Sequence, residues 1–112
     1  MIVVTSEYIA GKKVTQTLGL VRGNTIRARH IGKDIMAGLR ALVGGEIHEY
    51  AKLIAEGREQ SLDRMIDHAE TLGANAIIAT RFTTSVMMGG AAELLAIGTA
   101  VIVEDTTSNN SG

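Results

Sequence analysis

Ile47, Tyr50, Ala51, Ile54, Leu62, Met65, Ile66, Ala69 and Leu72 recur at three- and four-residue spacing. That is the period of a helix with one apolar face. Glu49, Glu56, Glu59, Asp63, Asp67 and Glu70 fall on its other faces, and Gly73 follows as a natural terminator. One unbroken helix over residues 46–72 is about 40 Å long. A compact domain of this size has a radius of gyration of about 13 Å and so a diameter of roughly 34 Å. The helix therefore either breaks near Gly57 or projects and packs against another copy of the chain.

Composition sharpens the second option. The chain has 112 residues, no cysteine, no proline, no tryptophan and three aromatic side chains, Tyr8, Tyr50 and Phe82. Its hydrophobic residues, 46% of the total, are nearly all aliphatic. A short chain buries a modest fraction of its surface, and small side chains contribute little apolar area each. A core completed across subunits is the expected solution. The absence of cysteine excludes disulfides and thiolate chemistry. Three scattered aromatics exclude a base-stacking platform.

The rest of the chain reads mainly as strands. Ile2-Val3-Val4-Thr5 is a short β-branched run. Residues 13–20 alternate, with Val14, Gln16, Leu18 and Leu20 on one face. Arg22-Gly23-Asn24-Thr25 has turn composition, with an extended segment resuming over 26–29. Residues 33–43 have helical spacing up to Gly44-Gly45. Asn75 to Phe82, extendable to Val86, and Leu94 to Val103 are further strands. Gly98 marks a bulge or a close backbone approach in the last of them. The order implies an α+β domain over residues 1–104: a mainly antiparallel sheet with a short helix and one long helix. Residues 105–112 form a polar tail, expected to be disordered.

Charge is split along the chain. Residues 1–45 hold seven basic and two acidic residues, a net of +5; residues 46–112 hold four basic and ten acidic, a net of −6. No dense Lys/Arg cluster occurs, so the two halves are expected to neutralise one another, and no nucleic-acid partner is expected. No apolar run is long enough for a membrane span, and the N-terminus lacks the basic and apolar regions of a secretory signal. A cytoplasmic location without membrane partners is expected.

Few residues stand out chemically. Arg58 extends the apolar stripe of the long helix, where a guanidinium needs a carboxylate or carbonyl partner. Glu93 and Glu46 of another copy are candidates, giving an interface ion pair or an anion pocket. His48, beside Glu49, and His30 are candidate metal ligands, as is the thioether pair Met87-Met88 before Gly89-Gly90. No HExxH, phosphate loop or catalytic triad is present. No catalytic residue and no cofactor are expected; the enzyme alternative is a subunit-interface pocket around Arg58.

Gly44-Gly45-Glu46, Tyr50, Arg58, Leu72-Gly73-Ala74-Asn75-Ala76 and Gly98-Thr99-Ala100-Val101, in this order, resemble the YbjQ family, as do Thr5-Ser6-Glu7 and the strand Thr17–Val21. The resemblance covers residues 1–104. It implies a YbjQ-like α+β subunit assembling into a homopentameric ring, and the label of a heavy-metal-binding domain. It also draws attention to Glu46, Tyr50 and Arg58 as ligand or interface residues. Two positions depart from the family pattern: Ile97 stands where a tyrosine is frequent, and Gly57 where an alanine is common. Without cysteine, the metal-binding label has only histidine, methionine and carboxylate ligands to draw on.

Overall fold

The computed structural model describes residues 1–27, 45–86 and 91–106, with residues 45–50 described by their backbone. Strands β1 (Ile2–Val3), β2 (Lys12–Arg27), β3 (Ala76–Val86) and β4 (Ala92–Asp105) form one sheet in the order β1-β3-β4-β2. β1 runs parallel to β3, and the other pairs are antiparallel. A single described helix, α1 (Gly45–Thr71), packs on β2 and β4. The architecture is α+β, as expected. The expected helix over residues 33–43 and the extended residues 28–29 lie outside the described residues, as do residues 107–112 of the tail.

The long helix is continuous through Gly57. Its buried line is Gly57, Ser61, Met65 and Ala69, each four residues from the next, so they stack on one face. Opposite them β4 presents Leu94, Ala96 and Ala100, all fully buried. Val21, Ile77 and partly buried Leu18, Leu62 and Ile66 complete this core. Mostly small residues face the helix, which brings the two layers close together. Gly23 shows how close: a Cβ there would lie 2.3 Å from the Ser61 carbonyl oxygen and 2.4 Å from the Met65 nitrogen.

That approach explains one departure from the sequence reading. Arg22-Gly23-Asn24-Thr25 is not a turn but part of the C-terminal half of β2, paired in register with Leu94–Ile97. The glycine serves helix–strand contact. A second departure concerns the alternation over residues 13–20. Register shifts between Val14 and Gln16 and between Thr17 and Gly19 interrupt it. Val14 and Leu20 consequently stand on the face away from α1, while Leu18 packs into the helix-side core. Gly98 meets Ile77 at close range, and the bulge lies opposite it, between Ile78 and Arg81 of β3, where Ala79 takes φ 55°.

The helix ends as its sequence suggests. Gly73 has φ 85°; its N–H donates to the Glu70 carbonyl, and the Ala74 N–H donates to the Ala69 carbonyl. These are the two bonds of a Schellman motif, which needs a left-handed residue at the Gly73 position.

The sheet face away from α1 is covered only in part. Ile2, Ile9 and Ile78 pack over Ala76, Val101 and Val103. Further along, Leu20 and Ile26 are 60% and 59% exposed, beside half-buried Leu95 and Ile97.

Candidate functional site

The ends of β2 and β3, the start of β4 and the middle of α1 meet at one corner. Arg27, at the end of β2, lays its side chain over Gly57: a Cβ on Gly57 would lie 2.8 Å from Arg27 Cγ and 2.7 Å from a Leu94 methyl. The absent side chain thus admits an arginine stem and a leucine. The Arg27 guanidinium then reaches Glu56 Oε1 at 3.6 Å through Nη2, and Nη1 donates to Gln60 Oε1 at 3.5 Å. Its Nε is buried without a hydrogen-bond partner among the described residues.

Arg58 lies on the opposite flank of α1 from Glu56 and Gln60, toward β3. It is exposed rather than part of the buried stripe, because Gly57 and Ser61 take the inward positions. Its Nη2 donates to Thr84 Oγ1 of β3 at 3.4 Å. Thr84 stands opposite Leu94, so it shares the helix side of the sheet, as do Phe82 and Val86, which are 44% and 68% exposed. Glu93 alternates with Leu94 and stands on the other side of the sheet, opposite Ile26 and Ser85. Within one subunit Glu93 and Arg58 are therefore separated by the sheet. On the β3 flank the Arg58 guanidinium, the Thr84 hydroxyl and exposed Phe82 and Val86 share the helix side of the sheet, a combination suited to an anionic group attached to an apolar body, while on the β2 flank the Arg27 guanidinium is already held by Glu56.

Of the other sequence candidates, His30, Met87 and Met88 lie outside the described residues, as do the side chains of Glu46, His48 and Tyr50. Among the described residues, no group of three or more His, Asp or Glu is placed to hold a metal ion. No described helix is long and apolar enough to cross a membrane. Arg27 was not singled out by sequence reasoning. The signal was Gly57, whose missing side chain matters only once β2 is known to end above it.

Among the described residues, one helix over a four-stranded mixed sheet, with Arg58 exposed at the helix midpoint beside Thr84, defines a small two-layer α+β protein. A crystal structure of a protein of unknown function from Pediococcus pentosaceus, assigned to the DUF74 family, has this fold: the TM-score is 0.61 at 16% identity, over 93% of this chain and 98% of that one. Residues 1–104 match the YbjQ family model, described as "Putative heavy-metal-binding", and the chain belongs to that family. Among its relatives, a UPF0145 protein of Methanosarcina acetivorans is 56% identical over 90% of this chain and 95% of its own length. A UPF0145 protein of Dehalococcoides mccartyi is 58% identical over 93% of this chain and all of its own.

Proposed function

We propose that the chain is one subunit of a cytoplasmic homo-oligomer, a pentamer by its family resemblance, and that it takes up a small anionic ligand at Arg58 beside Thr84. One observation carries the assembly: the half-covered sheet face. An antiparallel sheet tolerates one wet face when that face is polar. Here exposed Leu20 and Ile26 and half-buried Leu95 and Ile97 lie on it interleaved with Arg22, Asn24, Glu93 and Thr99, a mixed apolar and polar surface of the kind that subunit contacts use. A second copy supplies the cover that a chain poor in large side chains does not supply itself. A native mass spectrum of the purified protein tests the reading: multiples of five subunits are expected, with any retained ligand as a mass increment. A monomer at micromolar concentration overturns it.

The family description favours a second reading, in which His30, His48, Met87 and Met88 supply donors to a metal ion. Calorimetric titration with Cu, Zn or Ni then shows stoichiometric uptake, weakened by His48→Ala or His30→Ala. Flat titrations with all three metals remove it.

A further inference from the structure

Among the described residues, β2 forms one edge of the sheet. Alternate residues of an edge strand turn both backbone groups away from their neighbour, and such groups are open to pairing with another chain. At Arg22 and Asn24 the edge is closed by α1. The Arg22 N–H donates to Nδ1 of His68 at 3.3 Å. The Asn24 carbonyl accepts from Arg64 Nη1 at 2.7 Å. Arg64 and His68 are one helical turn apart, so both side chains reach over the same edge.

The two caps differ in chemistry. A guanidinium keeps its charge and its donors at any physiological pH. An imidazole accepts at Nδ1 only while neutral, with its proton on Nε2; once protonated, both nitrogens are donors. We propose that His68 is a proton-operated cap on the β2 edge. Neutral His68 closes the Arg22 N–H. Protonated His68 faces a donor with a donor, turns away, and leaves that N–H open to solvent.

Among the described residues the charged neighbours are few. On α1 they are Arg64, Asp67 and Glu70; the Thr71 hydroxyl donates to the His68 carbonyl at 2.6 Å. β2 turns no charge toward His68, because Val21 and Gly23, which face the helix, carry none and the Arg22 side chain alternates to the other face of the sheet. From β4 the helix-facing Ala96 and Ala100 are uncharged.

Amide hydrogen exchange of the full chain, read residue by residue by NMR at pH 8 and pH 5, tests the proposal. Protection factors divide out the intrinsic pH dependence, and the His68 ring shifts report its protonation. The Arg22 amide is expected to lose about tenfold in protection as His68 protonates, the worth of one good hydrogen bond. The amides of Val21 and Gly23, paired with Gly98 and Ala96 across β4, are expected to hold, which shows that the strand is intact. His68→Asn keeps an uncharged oxygen acceptor in place of Nδ1, so Arg22 should stay protected at both pH values. His68→Phe has no acceptor and should leave it unprotected at both. Arg22 protection that is unchanged while the His68 ring titrates, or that survives in His68→Phe, overturns the proposal. The test reads a single edge and does not depend on the assembly reading.

Discussion

The Asn75 carboxamide grips Val103 with both of its halves: Nδ2 donates to the Val103 carbonyl at 3.0 Å, and Oδ1 accepts the Val103 N–H at 2.8 Å. The side chain thereby acts as one more residue of β3, extending its pairing with β4 before the strand begins. The backbone joins in, since the Asn75 N–H donates to Val101 and the Asn75 carbonyl accepts from Ile2. Asn75→Ala removes both side-chain bonds and is expected to cost about 2 kcal/mol, read as a lower urea midpoint with an unchanged slope.

Asn75→Asp separates hydrogen bonding from size. A carboxylate would set a second acceptor against the Val103 carbonyl, and the charged form is disfavoured in the folded state. The folded-state pKa of that aspartate is then raised above its unfolded value. The variant's deficit is full above the folded pKa and vanishes as pH falls below the unfolded one. Its urea midpoint relative to wild type should therefore rise on acidification; a pH-independent gap would contradict the bonding geometry.

Gly23 and Gly57 both touch the helix–sheet contact but should respond differently to alanine. The Cβ of Gly23→Ala collides with the helix backbone at Ser61 and Met65, so the layers must separate, at about 2–3 kcal/mol. The Cβ of Gly57→Ala meets only side-chain carbons of Arg27 and Leu94. Its crowding is offset by the gain of about 1 kcal/mol for alanine over glycine in a helix. Thermal unfolding should show a large fall in Tm for the first and a small change for the second.

Ser61 is a buried hydroxyl in an otherwise apolar stripe. It donates to the Leu94 carbonyl at 2.9 Å and lies 3.1 Å from Thr25 Oγ1. A double-mutant cycle of Ser61→Ala and Thr25→Val is expected to give a coupling energy of about 1 kcal/mol. A coupling near zero would mean that the two hydroxyls ignore one another.

The uncovered face and the corner make separable predictions. Leu20→Asp with Ile26→Asp should convert the proposed assembly to monomers in sedimentation while far-UV circular dichroism stays unchanged, because neither side chain belongs to the helix-side core. If the basic N-terminal half meets the acidic helix across subunits, raising salt should weaken assembly as well. Arg58→Met, at an exposed position, should shift stability by no more than about 0.5 kcal/mol. It should lower uptake of an anionic ligand without changing subunit number, whereas an interface arginine would lose both.

Much of this architecture was legible in the chain. The period of the long helix placed it at 46–72 against the observed Gly45–Thr71, and Gly73 marked its end, because helical spacing and left-handed termination are local properties. Less legible was β2. Arg22-Gly23-Asn24-Thr25 has turn composition, and only the helix lying across it shows that Gly23 is there for contact. Arg58 continued the apolar stripe on paper, yet the helix is rotated so that Gly57 and Ser61 face inward. Small inward residues are what the close packing against Gly23 requires, and a hydrophobicity pattern does not count them.

The sequence by itself determined the kinds of element, their order and the poverty of large side chains, since these follow from period, composition and backbone preference. Tertiary structure alone decided which residues meet. Arg27 over Gly57, His68 on the Arg22 N–H and Glu93 on the far side of the sheet from Arg58 depend on strand register and helix rotation. Those are set by the sum of many packing contacts between segments distant in the chain, and no local pattern encodes that sum.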